Sequence, residues 1–532
     1  MTLKKSLAVT TAAALALSLA ACSSDSSSDS SAAGSEGEGN YVLVNGTEPQ
    51  NPLVPGNTNE VGGGRIVDSI FAGLVYYDVD GSPVNDVAES IELEGDKTYR
   101  VTLKDGQTFT DGTPVKAENF VKAWNYNVAN ATLSSYFFES ILGYEEGKES
   151  MEGLKVIDDK TFTIELNQPE SDFPLRLGYS AFYPLPDSAF EDMTAFGENP
   201  VGNGPYKLAE WNHNQDATIV PNEDYTGGQT VQNDGVKFIF YPTFDAAYAD
   251  LLSDNLDVLD AIPDSAFSSY EEELAGRSIN QPSAVFQSFT IPESLEHFAG
   301  EEGKLRRQAI SLAINREEIT TTIFEGTRTP ATDFTSPVID GHSDSLAGAE
   351  VLTYDPERAK ELWAQADAIS PWSGEFSISY NADGGHQAWA DATANSIRNT
   401  LGIDAIGNPY PDFKSLRDDI TNRTIKGAFR TGWQADYPSL GNFLGPLYVT
   451  GAGSNDGDYS NPAFDAKLTE AAAAADVAAA TPLYNQAQEI LLQDLPAIPL
   501  WYSNAVGGYS QNVDNVEFQW NSQPAYYKIT KQ

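Results

Sequence analysis

Three features of this 532-residue chain predict an α/β fold of two to four lobes. About 490 residues follow a short polar N-terminal stretch, enough to bury a large core. Segments with period-two and with helical apolar spacing are intermixed along the chain, without the regular strand–helix–strand rhythm of a simple parallel sheet. Cys22 is the only cysteine, so packing rather than disulfides must hold the fold together.

The elements follow in chain order. Tyr99, Val101 and Leu103 alternate with Arg100, Thr102 and Lys104, and Phe162, Ile164 and Leu166 show the same alternation, predicting two half-buried strands. Between them the turn Asp111-Gly112-Thr113-Pro114 precedes Phe120, Val121, Trp124 and Val128 at helical spacing. Leu305, Ala309, Leu312 and Ala313 predict another helix. Asp355 followed by Pro356 reads as a cap with a first-turn proline, opening a helix with Ala359, Leu362, Trp363 and Ala366 on one face. Leu483, Ala487, Ile490 and Leu491 predict one more. The run Gly62-Gly63-Gly64 lacks the strand-then-fingerprint context of a dinucleotide site and predicts a loop. With 25 Tyr, 25 Phe and 8 Trp, the aromatic content serves a core and also suits the walls of a ligand cleft.

The N-terminus carries its own message. Lys4 and Lys5 precede an apolar stretch that ends in Leu19-Ala20-Ala21-Cys22, the order of a signal peptide over residues 1–21. Cysteine at the cleavage point resembles the lipobox of bacterial lipoproteins, in which that thiol receives a diacylglycerol. Residues 22–40 are rich in Ser, Gly and Asp and predict a disordered tether. No later run of roughly eighteen apolar residues could cross a bilayer. An extracytoplasmic body anchored to the membrane through lipidated Cys22 is the expectation.

Composition and missing motifs narrow the function. With 77 acidic against 31 basic residues, the net charge of −46 repels nucleic acid, so no nucleic-acid partner is expected. No His-Glu-x-x-His, Walker or Gly-x-Ser-x-Gly motif is present. The four histidines, His213, His297, His342 and His386, are too scattered to predict a compact metal site. Neither enzyme activity, nor a cofactor, nor a bound metal is expected. Asn455-Asp456-Gly457-Asp458 has the chemistry to cradle a cation, but its spacing fits no calcium loop and predicts a solvated turn.

Several blocks, taken together and in order, resemble the solute-binding proteins of peptide ABC importers, the dipeptide/oligopeptide (peptide/nickel) binding family 5. They are NGTEPQNPL (45–53), TYRVTLKDGQTFTDGTPVKAENF (98–120), PVGNGPYKLAEW (200–211), LRRQAISLAINREEI (305–319), YDPERAKELW (354–363) and GWQADYPSLGNFL (432–444). Lys116 departs from the pattern, standing where the family often has a capping Ser or Thr. The resemblance implies a periplasmic-binding-protein-like clamshell of two lobes, type II-like, with an additional third domain. Lobe I would comprise 41–71, 199–286 and 502–532, the extra domain 72–198, and lobe II 287–501, with hinge crossings near 286 and 501.

The same resemblance implies a site. A receptor for many peptides can hold only what all peptides share: the α-ammonium, the α-carboxylate and the main-chain amides. Asp436, in Ala435-Asp436-Tyr437, matches the family's aspartate for the α-ammonium, a charge-assisted bond worth about 1.5–3 kcal/mol net. Arg430, His386 and Arg423 match the cations expected for the carboxylate. Main-chain groups of Gly432 and Gln434 would pair with the peptide as with an added strand, with residues around Asn59 to Val61 on its other side. Expected partners are short peptides and the permease and ATPase subunits of an importer, with the protein acting as a monomer. Nickel, haem or an oligosaccharide as solute, or a sensor of signalling peptides, are the alternatives the fold leaves open.

Overall fold

Two thirteen-residue strands, Ser278–Thr290 and Ala497–Tyr509, pair antiparallel along their lengths and carry the rest of the architecture. Their composition explains the choice: Val285, Phe286, Phe289, Ile498, Leu500, Trp501 and Tyr502 favour the extended backbone and are covered on both faces. The structure is a computed structural model that describes residues 40–411 and 413–532; Cys22, the signal segment and nearly all of the tether lie outside the described residues.

Among the described residues this pair lies at the centre of an eleven-stranded mixed sheet. On one side Ser278–Thr290 pairs antiparallel with Ala428–Gln434, followed in parallel by Glu375–Asn381 and Asp404–Tyr410. On the other, Ala497–Tyr509 meets Val258–Leu259, then Val42–Gly46, Val236–Phe240, Asp216–Pro221 and Tyr206–Asn212. The two groups of strands attach to opposite ends of the long pair, since Tyr509 faces Val258 whereas Thr290 faces Phe429. Each group has its own hydrophobic core. This is the expected α/β clamshell.

A separate four-stranded antiparallel sheet, Ala88–Glu94, Thr98–Leu103, Thr161–Glu165 and Leu154–Val156, forms the extra body. Tyr99, Val101 and Leu103 point inward as their alternation predicts. Helix Ala117–Ala129 covers this sheet through Phe120, stacked on Phe162 at 5.8 Å, and Trp124, edge-on to the same ring at 5.7 Å. Lys116 does precede this helix, and Asn119 takes over the capping by accepting from the Lys116 amide at 2.8 Å. Helix Pro356–Ile369 starts as predicted, with the Asp355 carboxylate accepting from the Arg358 amide at 2.9 Å, and all four residues of its apolar face are buried.

One local expectation is corrected. Gly62-Gly63-Gly64 forms the first turn of helix Val61–Ile70, not a loop. Glu60 caps it, accepting from the amides of Gly62 and Gly63 at 2.7 and 2.8 Å. A β-carbon on Gly62 would stand 2.4 Å from the Thr47 hydroxyl oxygen, so glycine here serves close approach rather than flexibility.

The block 305–319 owes its arginines to packing. Arg307 donates to the carbonyls of Asp494 and Phe298, each at 2.7 Å. Arg316 is buried, forms no ion pair among the described residues, and donates to the carbonyls of Pro499, Ser311 and Leu352 and to the Ser311 hydroxyl at 2.7–3.0 Å. Burial lowers its pKa to about 9. Arg316→Met would fill the space but strand those acceptors. It should cost about 3 kcal/mol, seen as a lower urea midpoint at unchanged slope; an unchanged midpoint would show that the bonds add nothing net.

Candidate functional site

The strand Ala428–Gln434 has neighbours on both sides only at its start. Glu375–Asn381 pairs with it at Ala428 and Phe429 and then diverges, whereas Ser278–Thr290 follows it to Gln434. The next amide, that of Ala435, donates to the Ala284 carbonyl at 3.0 Å. By antiparallel alternation, the amides and carbonyls of Gly432 and Gln434 therefore point the other way, along an open edge. Such an edge is a template for an extended chain.

At the far end of this edge lies a cavity of about 300 Å³. Gln434, Ala435 and Asp436 form one wall, Thr58 to Val61 another, and Tyr77, Tyr179, Tyr183 and Trp520 close it. Asn442 fixes Asp436 at two points, accepting from its amide at 2.9 Å and donating to its carboxylate at 3.0 Å. The same Asn442 oxygen accepts from the Trp433 indole at 3.1 Å. Burial raises the Asp436 pKa to about 6, against the lowering effect of the Asn442 bond. Among the described residues, no ion pair to a lysine, arginine or histidine occupies this carboxylate.

The loop bearing Asp436 is gripped by the extra body. Arg176 lies over the Tyr437 ring at 5.4 Å, and buried Asp172 accepts from the Ser439 hydroxyl at 2.6 Å. Ser439 in turn caps helix Leu440–Tyr448, the helix that presents Asn442. Position thus passes from Asp172 through Ser439 to Asn442 and Asp436.

A second cavity, of about 240 Å³, lies near the start of the edge and is lined by Arg430, Thr431, Gly432, Trp433, Phe413 and Arg417 among others. Arg430 donates to the Asn381 side chain at 2.9 Å and stands over the Phe413 ring at 4.9 Å. It stands six positions before Asp436, about 20 Å at extended spacing.

The remaining sequence-predicted residues lie off this line. Arg423 grips the Asp458 carboxylate with two bonds of 2.8 Å. His386 accepts from the Trp389 indole at 3.1 Å at the start of helix Gln387–Leu401 and lines neither of the two cavities. The turn Asn455–Asp458 does hold cations, but they are guanidinium groups: Asp456 binds Arg417 at 2.5 Å and Asp458 binds Arg423. No cluster of three or more His, Cys, Asp or Glu side chains among the described residues is placed to hold a metal ion. Asn442, Arg417, Asp68 and the cavity tyrosines carry no sequence signal of their own, because only the fold brings them to the cavities.

An open strand edge between two cavities, set where two sheet halves share a crossing pair of strands, defines a solute-binding protein of the clamshell type. Residues 82–455 match the family described as bacterial extracellular solute-binding proteins, family 5 Middle. The chain belongs to that family. It is 26% identical over 467 residues to the dipeptide-binding protein DppE of Bacillus subtilis, covering 85% of this chain and 84% of that one. It is 28% identical over 501 residues to the periplasmic oligopeptide-binding protein OppA of Escherichia coli, covering 88% and 89%. The fold is similar to the unliganded open form of the periplasmic murein tripeptide-binding protein MppA, with a TM-score of 0.78 at 22% identity over 93% of this chain and 98% of that chain.

The role of Asn442 is measurable. Asn442→Leu removes the bond that opposes the effect of burial, so Asp436 should titrate above its present value of about 6. Carboxyl NMR, with Asp436→Asn to assign the resonance, would show it. A pKa that stays put or falls would mean that Asn442 does not stabilise the carboxylate.

Proposed function

We propose that this chain is the extracytoplasmic, lipid-anchored binding component of an ABC importer, taking short peptides by their termini and backbone and delivering them to the permease and its ATPase. The observation that carries this reading is the open amide edge of Gly432 and Gln434, ending at a carboxylate with no ion pair among the described residues. An edge of alternating donors and acceptors recognises peptide backbone irrespective of side chain. Asp436 is the group for the α-ammonium. Arg430, with Arg423 and His386 further off, is the group for the carboxylate. The names of the relatives, which describe dipeptide, oligopeptide and murein tripeptide binding, support the same solute class.

The lobes in this reading keep the expected ranges: 41–71, 199–286 and 502–532 for the first, 72–198 for the extra domain, and 287–501 for the second. The register breaks in the long strand pair, at Pro282/Val285 and at Gln287/Ser288, support a crossing near 286. Closure would follow from tighter binding in the closed form.

If Asp436 neutralises the α-ammonium in a desolvated cleft, Asp436→Ala leaves that charge buried without its partner, at a cost of about 3–5 kcal/mol. Peptide affinity should fall by about two orders of magnitude or more, and Nα-acetylated peptides should bind the parent protein equally poorly. Calorimetry on a short peptide series decides. Normal binding by the variant together with indifference to acetylation would sink the assignment.

Anchoring is tested apart from binding. No helix among the described residues is long and apolar enough to cross a membrane, which leaves the Cys22 lipid as the proposed attachment. Cys22→Ala should abolish metabolic labelling by fatty acid and release the protein or leave its precursor uncleaved. Equal labelling of parent and variant would refute the anchor.

A further inference from the structure

The Asp436 cavity holds a second carboxylate that recognition of an α-ammonium leaves unused. Asp68 lies on helix Val61–Ile70 and lines the same space. It is enclosed by protein, and burial raises its pKa to about 7, yet the residue is exposed to the cavity itself. Its one hydrogen bond among the described residues comes from the Tyr183 hydroxyl at 3.3 Å. No described lysine, arginine or histidine forms an ion pair with it.

The cation that sequence would assign to Asp68 is committed elsewhere. Arg65 stands one helical turn earlier and also lines the cavity, but it is ion-paired with Asp260 and donates to the Asn45 carbonyl. The other carboxylates on the walls have partners. Glu60 caps its helix, and Asp86 accepts from Tyr225 and from the Gly228 amide. Among the described residues Asp68 and Asp436 each accept from a single side chain, Tyr183 and Asn442, and are the least hydrogen-bonded carboxylates on the cavity walls.

They also share neighbours. Burial first, and then nearby negative groups that include both Asp436 and Asp68, hold the hydroxyls of Tyr77 and Tyr179 protonated far above their ordinary range. Both carboxylates and both rings line the same cavity. Aromatic faces suit a methylene stem and attract a cation passing over them. A ligand with one positive charge satisfies Asp436 and leaves Asp68 uncompensated, whereas a ligand with two satisfies both.

We propose that Asp68 receives a second positive charge of the ligand, a lysine or arginine side chain on the first or second residue of a peptide whose α-ammonium is held by Asp436. This rests on the peptide reading above and narrows it to amino-terminally basic peptides. The lysine stem of four carbons gives the ammonium its reach from the backbone.

The test is calorimetry on the full chain in detergent, with Lys-Ala-Ala and Ala-Lys-Ala each compared with its norleucine counterpart, which keeps the stem and removes the charge. In the parent protein at least one lysine peptide should bind about tenfold more tightly than its counterpart, or better. Ala-Ala-Lys should show no such advantage. In Asp68→Asn, an isosteric change, the lysine-to-norleucine affinity ratio should fall to about one. Equal affinities in the parent, an advantage confined to the third residue, or a ratio that survives in Asp68→Asn would each overturn the proposal. The parent comparison needs no variant to fold. Norleucine peptides that bind regardless of Nα-acetylation would instead overturn the peptide-terminus reading, and the two failures are thereby told apart.

Discussion

The antiparallel pairing of Ser278–Thr290 with Ala497–Tyr509 is the interaction on which everything else depends. The two halves of the large sheet do not pair with each other directly; each pairs with one member of this long pair. The pair must therefore bind tightly yet bend. Bulges at Pro282/Val285 and Gln287/Ser288 break the ladder there, and bulges concentrate twist and curvature. Side chains repair what the ladder loses. Ser283 donates to the Ser503 carbonyl at 2.7 Å, and Ser336 donates to the Ser283 carbonyl at 2.8 Å. Buried Asp333, bonded to the Tyr502 hydroxyl at 2.9 Å, ties the following loop to the same crossing.

The binding edge follows from that geometry. Because Ser278–Thr290 occupies one side of Ala428–Gln434 as far as Gln434, only the other side can open, and it opens where Glu375–Asn381 diverges after Phe429. Open strand edges are usually hazards that proteins cover. Here the edge lies between two cavities. The extra body then fixes the end of the edge, through Arg176 on Tyr437 and Asp172 on Ser439. Its service to the site is positional: it holds the loop on which Asp436 stands.

Much of this was legible before any coordinates, and the exceptions have physical reasons. Periodicity located strand Thr98–Leu103 and helices Ala117–Ala129 and Pro356–Ile369, because each buries one face of a local pattern. Gly62–Gly64 misled because glycine reads as a breaker, whereas here Glu60 supplies the cap and Thr47 demands the missing β-carbon. Family resemblance pointed to Asp436, Gln434, Gly432 and Arg430, and they share one strand and its end. What lay beyond reach was the partner choice of long side chains. Arg423 is turned by an aspartate 35 positions away, and Asp68 lines the same cavity as Asp436, 368 positions further along the chain. Contacts at such separation leave no trace in spacing.

The charge balance joins the core to the site. A chain of net charge −46 has few cations, and several of its arginines are buried against backbone carbonyls: Arg307 on Asp494 and Phe298, Arg316 on Pro499, Ser311 and Leu352. Cations committed to the core cannot pair with the cavity, so among the described residues Asp436 and Asp68 have no ion pair and stay available to a positive group that enters. The surrounding negative field favours the approach of positive groups and opposes that of carboxylates. An amino end is thus drawn in by the whole molecule, whereas a carboxyl end must be held by local cations against that field. The arginines on the opposite cavity are held in place, Arg430 by Asn381 and Arg417 by its ion pair with Asp456. On the peptide reading proposed above, this asymmetry would orient a zwitterion along the edge before any side chain is read.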